Sequence, residues 1–122
     1  MSGESESIDA AEEVHDALGA GFTESVYHRA LEAELSERGV SFSSEGSIPV
    51  FYKGTPVGRR RPDLFVKDGD QTIILELKAG SSRGDAQLLQ YLDLLGEDSN
   101  FDISKGMLVQ FNDDVEVLVE SV

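Results

Sequence analysis

The chain contains no cysteine, which removes disulfide frameworks, thiolate metal sites and cysteine nucleophiles together. Histidine is nearly as scarce. His15 and His28 are the only two, which makes a histidine-rich zinc site or a Ser-His-Asp hydrolase unattractive and leaves both as expected packing or surface residues. Long hydrophobic runs are missing, since no apolar stretch approaches the roughly 20 residues that a membrane-spanning helix needs. The opening MSGESESID has neither the basic nor the apolar part of a signal peptide, so a cytoplasmic location is the default expectation. Positive charge is in short supply, with ten Lys and Arg against 24 Asp and Glu for a net charge of -14. That balance suits a protein kept soluble in concentrated salt, a halophilic habit. It argues against nucleic acid binding unless basic residues are concentrated locally.

They are concentrated. Residues 1–47 hold eleven acids and two bases, residues 48–83 four acids and seven bases, and residues 84–122 nine acids and one base. The 122 residues, 39% of them apolar, suffice for one domain with one core, and a separate cofactor module is nearly excluded. We therefore expect a single domain over residues 1–122, with residues 1–8 flexible.

Asp9 followed by Glu12 reads as a capping box that starts a helix. Ile8, Ala11, Val14 and Leu18 lie on one helical stripe, interrupted by Gly19 and Gly21, before Thr23 caps a second stretch with Val26, Tyr27, Ala30, Leu31 and Leu35 inward. Gly39 reads as its C-cap, giving one broken helix or two consecutive helices over residues 9–38. From Val40 the period becomes two. Val40 and Phe42, then Ile48, Val50 and Tyr52, alternate before a Lys53-Gly54-Thr55 turn. Arg61 to Val66 and Gln71 to Ala79 read as strands joined through the Asp68-Gly69 pair, with the apolar run Thr72 to Leu77 as a central strand. A helix is expected from Ser81 or Ser82 to Gly96 on a Leu-rich face, and a last hairpin from Met107–Phe111 and Val115–Val119. The order predicts a mixed central sheet flanked by helices, at the border between α/β and α+β.

The strongest chemical signal is Pro62-Asp63 followed by Glu76-Leu77-Lys78. Glu76 and Lys78, two apart near the end of a strand, face the same side of the sheet, and the hairpin brings Asp63 toward them. Grouped carboxylates repel unless a cation compensates, and Mg²⁺ prefers such oxygen ligands, with the Leu77 carbonyl as a further donor. Lys78 is suited to orient an attacking water or to stabilise charge on phosphate. A Glu-x-Lys pair on a strand is commonly a surface ion pair, and Asp63 alone would serve as a turn residue. Here the pair interrupts an apolar run, where an acid needs a partner. Arg59, Arg60 and Arg61 form the densest basic patch and a candidate phosphate anchor, divided between two faces by strand alternation.

In these motifs the sequence resembles the PD-(D/E)XK nuclease superfamily, and within it the GxxExxY family. Gly21-Phe-Thr-Glu24-Ser-Val-Tyr27 matches that family's name. It is followed by Ile48-Pro49-Val50, Tyr52-Lys53-Gly54, Arg61-Pro62-Asp63-Leu64, Glu76-Leu77-Lys78, Gln87-Leu88-Leu89-Gln90-Tyr91 and Gly106-Met107-Leu108-Val109-Gln110-Phe111. The resemblance implies a restriction-endonuclease-like core and hydrolysis of DNA or RNA phosphodiesters with Mg²⁺ or Mn²⁺. It implies Asp63 and Glu76 as metal-binding acids with Leu77, Lys78 as the catalytic lysine, Glu24 as the acid of the first core helix, and Gln87 as the motif glutamine with Tyr91 one turn on. After the lysine, the segment Ala79 to Gly84 carries only Arg83 as a basic residue, a further candidate for phosphate. The expected partner is nucleic acid, DNA before RNA. The size and order of acids are also similar to those of archaeal Holliday-junction resolvases, which implies a homodimer. A noncatalytic nucleic acid or protein-binding module on the same fold is the reading from a different class.

Overall fold

The computed structural model describes residues 2–80 and 103–121. Helix α1 spans Gly3–Leu18 and α2 spans Glu24–Glu37, and seven strands follow: β1 (Phe42–Ser43), β2 (Ile48–Tyr52), β3 (Thr55–Arg60), β4 (Leu64–Asp68), β5 (Gln71–Ala79), β6 (Ile103–Phe111) and β7 (Val115–Ser121). Five form one mixed sheet in the order β1-β4-β5-β6-β7, while β2 and β3 pair separately. All pairings in the large sheet are antiparallel except β5 with β6. This mixed sheet with two helices against it is the α+β architecture expected from the sequence. The helix expected from Ser81 or Ser82 to Gly96 lies outside the described residues.

Helix α1 begins earlier than Asp9. Ser2 is the N-cap, its hydroxyl accepting from the Ser5 N–H at 3.1 Å, and the Gly3 N–H donates to the Asp68 carboxylate at 2.7 Å. Asp9 is an exposed residue within the helix, so the expected capping box is not used. The reason is tertiary. Gly3, Ser7, Ala10, Ala11 and Val14 form the buried stripe, and a Cβ on Gly3 would run into the Lys67 carbonyl oxygen. Small residues thus dock the first turns on β4.

Helix α2 buries Tyr27, Leu31 and Leu35, spaced one turn apart. It ends as the sequence predicts, with Gly39 at φ 73° just past the C-cap and the Gly39 and Val40 N–H groups donating to Ser36 and Leu35 carbonyls at 3.1 and 3.0 Å. That is the paired-bond glycine terminus of a helix. Arg38 ties the helices together, 2.8 Å from Glu34 and 3.6 Å from Glu6. Its guanidinium pKa is raised above the usual value, chiefly by the hydrogen bond to Glu34.

One core lies between the helices and the sheet, where Tyr27, Leu31 and Leu35 pack with Leu64, Val66, Ile73, Leu75, Leu77, Met107, Val109 and Phe111. A second cluster, Ile48, Ile74, Ile103 and Leu108 with Phe65 against it, lies on the opposite sheet face. Apolar contacts on both faces explain why Ile73 to Leu77 is an unbroken buried run, as expected of a central strand. The β4–β5 turn is displaced by one residue from the expected Asp-Gly pair. Asp68 is still paired with Gln71, and Gly69, at φ 64°, takes the first central position.

The strand expected over Arg61 to Val66 is also redistributed. Arg59 and Arg60 end β3, and β4 starts only at Leu64, because Pro62 has no N–H to give a ladder. Strand β3 itself had no periodic signal, since its six residues are Thr, Pro, Val, Gly and two arginines.

Candidate active site

The site forms where the β4–β5 ladder runs out. The last paired residues are Leu64 and Leu75, so β5 extends past its neighbour by the residues that carry the Glu-x-Lys motif. Asp63 takes over from the missing strand. Its carboxylate accepts from the Leu77 N–H at 2.7 Å, pairing a backbone donor that would otherwise be stranded in a residue only 2% exposed. In a strand the N–H and C=O of one residue point toward the same neighbour, so the Leu77 carbonyl is directed to the side that Asp63 occupies.

Glu76 is 4% exposed, on the strand adjoining Asp63. Strand alternation puts Glu76 and Lys78 on the face of Ile74, while Asp63 lies just before β4 begins. Asp63 is bonded to the N–H of Leu77, the residue that lies between Glu76 and Lys78 in β5. Burial of a carboxylate at such a position requires polar or charged partners.

Lys78 stands at the far end of β5, its ammonium 3.8 Å from the Glu24 carboxylate. Glu24 is the first residue of α2, where the helix dipole favours an acid. The intervening Gly19–Phe22 segment is fastened by Tyr27. The phenol donates to the Gly19 carbonyl at 2.6 Å and accepts from the Phe22 N–H at 3.3 Å, while its ring stacks on Phe111 at 4.3 Å. Gly21, at φ 102°, supplies a backbone conformation closed to other residues. Each named position of G-x-x-E-x-x-Y thus has a physical role, with Gly21 bending the loop, Tyr27 tying it to the core, and Glu24 delivered to Lys78.

An open depression of about 680 Å³ lies at this end, lined by Gly21, Thr23, Glu24, Lys78, Gly80 and Asp113 among others. Gln110 is level with Lys78 on β6 and donates to the Gly80 carbonyl at 3.0 Å, while the Gly80 N–H donates to the Phe111 carbonyl at 2.9 Å. These bonds fix the chain just after the lysine. Gln110 and Asp113 had no assigned role in the sequence reading; a lone polar residue closing an apolar run, as Gln110 does before Phe111, is the signal that could have found the first.

Among the described residues, no three His, Asp or Glu side chains gather into a metal-holding cluster. Asp63 is bonded to the Leu77 N–H, next in the chain to Glu76, whereas Glu24 is engaged with Lys78. That arrangement still fits Mg²⁺, which is ordinarily held by one or two carboxylates together with waters and substrate phosphate rather than by a protein cage. Arg59 and Arg61 are exposed and Arg60 half-buried, the division that alternation predicts. Arg59 donates to the Ser47 hydroxyl at 2.7 Å. His15 bonds to the Asn112 carbonyl at 2.8 Å, and His28 lies 3.3 Å from Glu32. Arg83, Gln87 and Tyr91 lie outside the described residues.

A mixed sheet with helices on one face, and acids and a lysine where its central hairpin ends, defines a nuclease-like α+β core. The model of the PD-(D/E)XK nuclease superfamily matches residues 3–122, and the chain belongs to that superfamily. Its members are in general metal-dependent nucleases that act on nucleic acid and typically use Mg²⁺ or Mn²⁺. No curated protein matches the chain. No helix among the described residues is long and apolar enough to cross a membrane.

Proposed function

We propose that this chain is a metal-dependent nuclease that hydrolyses nucleic acid phosphodiesters, DNA in the first instance, and that within its superfamily it is a GxxExxY protein working in the cytoplasm. The observation that supports this reading is Asp63 at the end of the ladder, fixed at 2.7 Å on the N–H of Leu77, the residue that follows the buried Glu76. Two acids held close together repel, and a cation between them relieves that repulsion. Asp63, Glu76 and the Leu77 carbonyl would hold Mg²⁺ or Mn²⁺, with Glu24 contributing through water. A bound ion supplies Lewis-acid stabilisation of charge on the phosphate.

The protein's own groups do the rest. Lys78 orients the attacking water against the phosphate and offsets negative charge there. Glu24, within 3.8 Å, restrains the direction of the lysine. Arg59, Arg60, Arg61 and Arg83 anchor phosphates, with Gln87 and Tyr91 as the further residues that the family resemblance implies. The test is cleavage of labelled single-stranded, duplex, flap and four-way DNA and of RNA, with Mg²⁺ or Mn²⁺ and with a chelator. Metal-dependent cleavage is expected. Preference for four-way junctions by a homodimer would refine the reading to a resolvase, and a folded protein that cuts nothing in the panel would replace it with a binding module.

A further inference from the structure

The β2–β3 hairpin differs from the rest of the protein in three ways. It is a two-stranded ribbon with no ladder to the main sheet. Its chemistry is inverted: residues 46–62 contain four Lys and Arg and no Asp or Glu, within a chain of net charge -14. It also carries the most exposed large apolar side chains among the described residues, Tyr52 at 63% and Val57 at 59%, with Phe51 at 40%. A ribbon held only for stability would turn such rings inward.

Its tip is shaped for display. Lys53 and Gly54 have φ values of 50° and 81° between the paired Tyr52 and Thr55, the two positive φ values of a tight hairpin turn. Lysine adopts that conformation against the preference of any residue with a Cβ, and its ammonium lies 5.4 Å from the Tyr52 ring centroid. At the root, Ile48 pairs with Arg60 and is buried, anchoring the ribbon, while Arg59 and Arg61 are exposed. The root leads in three residues to Asp63.

We propose that this hairpin is a nucleic-acid-binding arm. Tyr52 stacks on an unpaired base, Phe51 offers a second stacking ring on the other face of the ribbon, and Lys53, Arg59 and Arg61 hold the flanking phosphates, so that the enzyme takes substrates containing a single-stranded segment. The substrate's fate rests on the nuclease reading above; the binding does not. Charge and rings together select this occupant, since phosphate answers the basic residues and the faces of bases answer the aromatic ones. A second copy of this acidic chain would answer the charge as well. However, Pro49 and Pro56, one on each strand, remove donors from the ribbon and disfavour its extension by edge pairing. From Gly54 to Arg60 the strand covers roughly 20 Å, which sets the distance between the stacked bases and the catalytic end.

The test is fluorescence anisotropy of the full chain with short labelled oligo-dT, oligo-U and a blunt duplex, all in chelator so that nothing is cut. The wild type should prefer single strands, and the oligo-dT and oligo-U arms separate DNA from RNA as the source of the unpaired bases. Phe51→Ala with Tyr52→Ala should weaken single-strand binding about tenfold or more with an unchanged circular dichroism spectrum, while Tyr52→Phe retains binding. Lys53→Gly, which suits the turn, should lower the slope of log affinity against log salt by about 0.7. Equal single-strand affinity of the wild type and the double variant would overturn the arm, as would light scattering that shows the double variant losing only self-association. Metal-dependent cleavage by the wild type with no effect of the arm on binding would sink the arm and leave the nuclease. Arm-dependent binding by a protein that never cleaves would do the reverse.

Discussion

Asp63 holds a backbone donor and, under the proposed function, a metal ion, and two substitutions divide these roles. Its carboxylate accepts from the Leu77 N–H at 2.7 Å, and it is assigned to a metal with Glu76. Asp63→Ala removes the acceptor and leaves the donor of a 98% buried residue unpaired, Leu77 being 2% exposed. Leaving such a group unsatisfied, with loss of a charge-assisted bond, costs about 1.5–3 kcal/mol. For a chain of this length that is a fall in Tm of roughly 5–12 °C. Asp63→Asn keeps an oxygen that can accept from the same N–H and removes one of two repelling charges, so its loss without metal should stay below about 1 kcal/mol. With Mn²⁺ the order of effects changes. Saturation of the wild type at a hundred times its Kd adds about 2.7 kcal/mol, whereas Asp63→Asn, short of a carboxylate, should gain far less. Scanning calorimetry with and without Mn²⁺, together with titration calorimetry, reads both quantities. If Asp63→Asn gained as much from Mn²⁺ as the wild type, Asp63 would not be a ligand; if Asp63→Ala melted with the wild type, the backbone bond would carry no weight.

Tyr27→Phe keeps the ring stack on Phe111 and deletes both hydroxyl bonds to the Gly19–Phe22 loop, so urea unfolding should report a loss of about 1–2 kcal/mol. Cleavage should fall too, because the loop delivers Glu24. Glu24→Gln breaks a pair whose acid is 48% exposed; its stability should move by less than about 0.5 kcal/mol while turnover drops, as paired melting and cleavage assays would record. Gly3→Ala drives a methyl group into the Lys67 carbonyl oxygen and should destabilise the fold by about 1–3 kcal/mol, measurable by thermal melting; an unchanged melting point would mean that the first turn of α1 does not dock on β4 in solution.

The parts of this fold that were legible in the sequence are those specified locally. The Leu-spaced stripe of α2, its glycine terminus, the buried run of β5 and the final hairpin each carry their own pattern. The start of α1 was hidden because its docking residues are Gly3 and Ser7, small residues without a hydropathy signal, and because the cap of the Gly3 N–H comes from Asp68 across the fold. Strand β3 was hidden for a similar reason: its glycine, proline and arginines do not alternate, and it exists through pairing with β2. In the site, the spacing of Asp63, Glu76 and Lys78 was readable from a hairpin and a period of two. What no spacing could supply was the physical hold on them, namely Asp63 closing an orphaned strand N–H, Tyr27 fastening the loop before Glu24, and Gln110 fixing Gly80.

Under the proposed function Lys78 acts with Asp63 and Glu76 in nucleic acid hydrolysis. Its most direct test is the rate of metal-dependent cleavage by Lys78→Ala beside the wild type, on whichever substrate the wild type cuts and at matched folded concentration. Lys78 is 22% exposed, so its truncation also removes packing of the aliphatic stem, which the matched folded concentration takes into account. The rate should fall at least about 100-fold. Turnover by the variant at the wild-type rate would contradict the account.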